Sequence, residues 1–206
     1  PVYVSATFYG CASLETVEFK EASDTASSLS LNSDMFYGCA SLKKVILPKR
    51  LTSSVLIEAI GTTTFVGCGA LSEIVVAADC ETFVVEDGVL YELNEAGEKT
   101  VLKLCVPARE GKVVVPGTVK SIAGGAFMNC KLVTEVEFLP SEDEKATLVI
   151  ENGSADMSDN KFYYSAFYGT EITGIVLPSR LSRIGDYAFY QTKITSLEVP
   201  ANVRDD

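Results

Sequence analysis

Six cysteines and 28 acidic side chains are the residues of this 206-residue chain whose types could support chemistry. Four thiols, Cys11, Cys39, Cys68 and Cys130, share a local pattern, and Cys80 and Cys105 stand outside it. Four thiolates hold zinc when they converge on one point, and two can close a disulfide. Acid pairs such as Glu135/Glu137 and the run Glu142-Asp143-Glu144 offer the two carboxylates that glycoside hydrolysis uses. Histidine is absent, which removes His triads, His general bases and most zinc sites. A nucleophile would need Lys or a carboxylate as its base. Gly124-Gly125 precedes a Phe and lacks the Lys of a phosphate-binding loop. No Asp spacing fits an EF-hand, and Glu142, Asp143 and Glu144 read as a solvated cluster. The chain carries 17 basic side chains against its 28 acids, a net −11, which lacks the basic footprint that nucleic acid demands.

Chemistry needs a scaffold, and the composition supplies one. A chain 47% hydrophobic and 22% charged buries a sizeable core and is not disordered. Pro1-Val2-Tyr3-Val4-Ser5 has neither the positive nor the apolar region of a signal peptide. No apolar run reaches the eighteen or so residues of a membrane span.

The organisation is repetitive. Phe8-Tyr9-Gly10-Cys11-Ala12-Ser13-Leu14 recurs as Phe36-Tyr37-Gly38-Cys39-Ala40-Ser41-Leu42. Weaker copies begin at Phe65 and Phe127, and shortened ones at Phe167 and Phe189. Each runs into a strand-like tail, as in Val17-Glu18-Phe19, Val45-Ile46-Leu47-Pro48, Ile74-Val75-Val76, Val136-Glu137-Phe138, Ile175-Val176-Leu177-Pro178 and Leu197-Glu198-Val199-Pro200. The Phe residues lie 28, 29, 62, 40 and 22 positions apart. The bare unit is therefore about 22 residues, and longer gaps read as surface insertions, which repeat stacks tolerate.

Tail residues alternate with the two-residue period of a strand, so Leu14, Val17 and Phe19 point inward while Thr16 and Glu18 point out. Pro48, Pro178 and Pro200 end their strands, since proline donates nothing to a ladder. Ala188-Phe189-Tyr190-Gln191 reads as a short helical or 3₁₀ turn. The third position, Gly10, Gly38, Gly67, Asn129 and Gly169, suits a left-handed residue. Gln191 breaks this pattern, and its turn is expected to differ. Thr82-Phe83-Val84-Val85 and Val89-Leu90-Tyr91 across Asp87-Gly88 read as a type I′ hairpin, the centre of an insertion over 81–112. Val113-Val114-Val115-Pro116 re-enters the regular unit. The stretch 140–160 reads as a solvated loop or edge excursion. Both ends fall mid-repeat, so residues 1–206 read as one array cut from a longer protein.

The Leu177-Pro178…Ile184-Gly185-Asp186-Tyr187-Ala188-Phe189-Tyr190 unit, the Phe-Tyr-Gly-Cys-x-x-Leu copies and the Val85-Glu86-Asp87-Gly88-Val89-Leu90-Tyr91 hairpin resemble the BspA-type leucine-rich repeat family. A period near 22 falls in the range of leucine-rich repeats. The resemblance implies a curved, right-handed solenoid with a parallel sheet on its concave face and irregular or short helical segments opposite. It also implies a bacterial or protozoan cell-surface or secreted protein of adhesin-like function. Such a module is not an enzyme and uses no cofactor or metal; its partners would be protein or glycan. A structural spacer displaying another domain is the alternative.

The repeat frame gives each residue a place. Phe8, Cys11, Leu14, Val17, Phe36, Cys39, Leu42, Val45, Phe65, Cys68, Leu71, Ile74, Phe127, Cys130, Val136, Phe167, Ile175, Ile184, Phe189 and Leu197 form the expected core. The four patterned cysteines become a packing column. Thr170 and Thr192 fill that slot in the shortened copies, a replacement that zinc or disulfide chemistry would not survive. A Cys80–Cys105 bridge stays open. The outward tail residues Thr16, Glu18, Lys44, Ile46, Glu73, Val75, Glu135, Glu137, Val176 and Glu198 form the expected concave binding array. Tyr9, Tyr37, Tyr168 and Tyr190 form a second column, read as half-buried rings covering the next repeat.

Overall fold

A computed structural model describes residues 2–4, 6–21, 29–31, 34–49, 51, 63–152 and 165–204. The strands, in chain order, are β1 (Val2–Val4), β2 (Thr16–Glu18), β3 (Leu29–Leu31), β4 (Lys44–Leu47), β5 (Glu73–Val76), β6 (Phe83–Glu86) and β7 (Val89–Leu93). They continue with β8 (Lys99–Cys105), β9 (Gly111–Val115), β10 (Ser121–Ile122), β11 (Val133–Phe138), β12 (Leu148–Ile150) and β13 (Leu181–Ile184).

Each repeat crosses the core twice, once before its Phe and once after. The strands after the Phe make the front face, where β2, β4 and β5 pair in parallel and β11 pairs with β9. The strands before it make the rear, where β8, β10, β12 and β13 run parallel and β1 pairs with β3. This corrects the expectation of an irregular or helical rear. The rear is a sheet, and no helix occurs among the described residues. Ser121-Ile122 and Leu148–Ile150 are too short to show a strand period in sequence. Leu148 and Ile150 are fully buried, so part of the stretch read as a solvated excursion over 140–160 is core; 153–160 lies outside the described residues.

The Phe turn joins the repeats. The Phe8 N–H donates to Met35 O at 3.0 Å, Phe36 to Thr64 O at 3.0 Å, Phe127 to Ala166 O at 2.7 Å and Phe167 to Ala188 O at 2.9 Å. Two residues on, Gly10 donates to Tyr37 O, Gly38 to Val66 O and Asn129 to Tyr168 O, at 2.7–2.8 Å. The rings stack at centroid distances of 5.4 Å (Phe8–Phe36), 5.5 Å (Phe36–Phe65), 4.9 Å (Phe127–Phe167) and 5.2 Å (Phe167–Phe189). Among the expected core residues, Phe36, Cys39, Leu42, Val45, Phe65, Cys68, Leu71, Ile74, Phe127, Cys130, Val136 and Phe167 are buried. Phe8, Leu14, Val17, Ile175, Ile184, Phe189 and Leu197 are partly buried against them.

The hairpin does more than interrupt the array. β6 and β7 are antiparallel across Asp87 (φ 49°) and Gly88 (φ 74°), the two left-handed residues of a type I′ turn. The chain then supplies a complete rung, β8 at the rear and β9 at the front. Cys105 occupies the Phe position of that rung: its N–H donates to Ala126 O at 2.7 Å, as Phe36 donates to Thr64 O.

The thiols extend the same logic. Cys39 Sγ donates to Phe8 O at 3.0 Å, Cys68 Sγ to Phe36 O at 3.1 Å and Cys130 Sγ to Cys105 O at 3.3 Å. Each caps the carbonyl of the preceding turn, while Thr170 and Thr192 bond the Phe carbonyl of their own turn. All six thiols are free, including Cys80 and Cys105. Burial raises the Cys39 thiol and pushes Cys68 up to about 12; the Cys105 thiol beside it, together with burial, raises Cys130. Cys11 departs from the expected core. It is exposed, and among the described residues its turn bonds to the Phe36 turn.

The Gln191 turn does not differ from the others. Its φ is 56°, beside 58° at Asn129 and 67° at Gly169. The stack imposes the left-handed conformation on a side chain that disfavours it by about 1–2 kcal/mol. Gln191→Gly is therefore expected to raise stability by about 0.5–1 kcal/mol in urea unfolding, since glycine's greater freedom in the unfolded chain offsets part of the relief. Gly67 shows the opposite limit. An added Cβ would sit 3.1 Å from Gly38 Cα, whereas at Gly10 nothing lies within 4 Å. Gly10→Ala should cost about 1–2 kcal/mol from its positive φ alone, and Gly67→Ala should cost measurably more. In native protein, a maleimide should label Cys11 fast and leave Cys39, Cys68, Cys105 and Cys130 unlabelled until unfolding.

Candidate binding face

The front strands place the expected array in register. Thr16, Lys44 and Glu73 stand side by side, as do Glu18, Ile46 and Val75. Between these rows Val17, Val45 and Ile74 turn into the core. The charges on this part of the face largely pair with one another. Lys44 Nζ meets Glu73 at 2.9 Å, Lys43 meets Glu15 at 3.1 Å and Lys20 meets Glu18 at 2.5 Å. These pairs are exposed, and such pairs each contribute about 1 kcal/mol or less.

The hairpin rung adds residues absent from the expected array. Glu135 lies opposite Lys112, and Glu137 opposite Val114. Lys112 Nζ reaches Glu137 at 2.6 Å and Glu135 at 3.1 Å, and these two carboxylates, Glu137 first, raise its pKa. Arg109 fixes the approach to this strand, donating to Asp87 O at 2.9 Å and Lys112 O at 2.7 Å. Val114 is 42% exposed. The signal for this strand was present in Val113-Val114-Val115-Pro116, which matches the Val45-Ile46-Leu47-Pro48 tail in pattern. The Glu135/Glu137 pair does not form an acid–base site. An ammonium sits between carboxylates that are both open to solvent, whereas a glycosidase acid keeps its proton in a dry pocket.

Val176 and Glu198 are not placed on strands. Residues 173–177 and 195–199 make no backbone hydrogen bond among the described residues. This corrects their reading as regular strands, and the physical reason lies in spacing. Val17, Val45, Ile74 and Val136 lie nine positions after Phe8, Phe36, Phe65 and Phe127; Ile175 and Leu197 lie only eight after Phe167 and Phe189. The two shortened copies hold the Phe turn but fail to close the front ladder. A cleft of about 710 Å³ opens there, lined by residues that include Glu135, Glu137, Val176 and Glu198. Val176 is 85% exposed.

The tyrosine column flanks the turn. Tyr9 and Tyr37 stack at 4.9 Å, and Tyr168 and Tyr190 at 5.8 Å. Tyr37 and Tyr168 are half-buried, and the outer rings Tyr9 and Tyr190 more exposed, as expected of rings that cover the next repeat. Among the described residues, no three Cys, Asp or Glu side chains are placed to hold a metal ion, and no helix is long and apolar enough to cross a membrane.

Among curated proteins, none matches the chain. A leucine-rich cell surface protein from Faecalibacterium prausnitzii superimposes with a TM-score of 0.56 at 20% identity, over 96% of this chain and 51% of its own. This chain thus spans about half the length of that protein. A leucine-rich repeat protein from Eubacterium ventriosum aligns with a TM-score of 0.44 at 16% identity, over 97% of this chain and 64% of its own. The BspA type leucine rich repeat region matches in six copies, over residues 4–86 and 110–205. With most of its length in those copies and its turns stacked as repeats, the chain belongs to the BspA-type leucine-rich repeat family.

Proposed function

We propose that this chain is a non-enzymatic recognition module of a cell-surface or secreted protein, and that the front face is its binding surface. In a curved stack this face is the concave one. One observation carries the reading: aliphatic side chains stand outward in the strand register, Ile46 beside Val75 on the paired sheet, with Val114 and Val176 exposed further along. Exposed aliphatics among charges suit a protein or a glycan with apolar faces better than a polyanion. Support for the location comes from family membership and from the cell-surface description of the F. prausnitzii protein. Repeat stacks recognise partners through many small contacts along one rigid face.

The test is the triple variant Ile46→Lys, Val75→Lys, Val176→Lys, applied to immobilised matrix proteins and glycans. Long lysine side chains reach solvent from such positions, so the melting temperature should move by only a few degrees. Binding should fall at least tenfold. Unchanged binding would place the contact elsewhere. No binding by the parent chain to any of the panel would favour the spacer role.

A further inference from the structure

We infer that the open front ladder beside β11 takes an extended peptide that alternates aliphatic and basic side chains, added as a strand. This rests on the front face being the recognition surface and names the class of partner. The two rungs that bound the gap are held at normal spacing elsewhere. Their Phe rings stack at 4.9 Å, Phe127 donates to Ala166 O, and β10 pairs with β12 behind. Only the front halves part. β11 is paired to β9 along one edge, and every second N–H and C=O of a strand points to its other edge. Across the cleft, Gly174 to Leu177 make no backbone hydrogen bond among the described residues. Both walls therefore present backbone donors and acceptors, the template that an incoming strand completes.

The walls also specify side chains. Val136, Phe138, Ile175 and Leu177 pack with the core, so alternate residues of an added strand would meet apolar surface. The cleft's outward residues include Glu135, Glu137 and Glu198. Among the described residues, Lys112 is the one cation paired to Glu135 and Glu137, which leaves the three carboxylates with negative charge uncompensated on that face. The other alternate residues of the guest would thus be basic.

The experiment titrates the chain with a capped Val-Lys-Val-Lys-Val-Lys peptide and with the same peptide N-methylated at alternate backbone amides. The parent peptide should bind, N-methylation should weaken it at least tenfold, and Val176→Pro, which deletes one ladder N–H, should weaken it similarly. Glu198→Lys should weaken it several-fold without changing the melting temperature. Equal binding of the N-methylated peptide would overturn strand addition while leaving the front face as a recognition surface. No binding of the peptide, with matrix or glycan binding still lost in the triple lysine variant, would overturn the strand guest alone. Loss of both would remove the recognition reading itself. Concentration-dependent dimerisation that blocks the peptide would show the gap to be filled by a second copy, and would also overturn the proposal.

Discussion

The structure depends on one repeated hydrogen bond, from the backbone N–H of the turn Phe to the carbonyl just before the next one. It recurs at Phe8, Phe36, Cys105, Phe127 and Phe167 and spaces the repeats there; at Phe65, where the hairpin follows, no such bond forms among the described residues. Given that spacing, the Phe rings must stack, the third residue must reverse the chain through a positive φ, and the thiol three residues after the Phe falls within reach of the preceding Phe carbonyl. Sulfur suits that last place because it is small and apolar, yet still caps an acceptor that burial would leave half-satisfied. The strongest evidence for the primacy of this bond is where it survives. It holds at Cys105, which has no ring to stack, and the left-handed turn holds at Gln191, which has no glycine.

Beyond the turn the chain is less constrained. Regular copies reach the front face nine residues after the Phe and join the ladder; shortened copies arrive one residue early and do not. One missing residue shifts a strand by one step, and in a two-residue period that puts register and facing in conflict. Ile175 and Leu177 still turn inward, so the chain keeps its apolar contacts and gives up its front hydrogen bonds to solvent. The result is a face of two kinds, a closed and largely self-neutralised sheet around β4 and an open, acidic cleft beside β11.

The sequence made some of this plain and concealed the rest. The Phe, Gly and Cys columns were legible because each residue answers a local demand of one turn. The array Thr16, Lys44, Glu73 and Glu18, Ile46, Val75 was legible because parallel repeats bring equal phases together, and the pairing obeys that alignment. Three features were not. Cys105 as a Phe surrogate appears only through its bond to Ala126, a contact between rungs. The rear sheet is made of strands as short as Ser121-Ile122, which carry no readable period. The open ladder was hidden because Ile175-Val176-Leu177-Pro178 has the same pattern as Val45-Ile46-Leu47-Pro48, and only the spacing from the Phe distinguishes them.

The central claim is that the turn, and not the front ladder, holds the stack together. Residue-resolved amide hydrogen exchange on the unliganded chain tests it most directly, because exchange reports which hydrogen bonds persist. The account predicts strong protection at Phe36, Gly38, Cys105, Phe127, Asn129 and Phe167, with fast exchange at Gly174 to Leu177 and Thr195 to Val199. Protection of those two tails equal to that of the turns would contradict it.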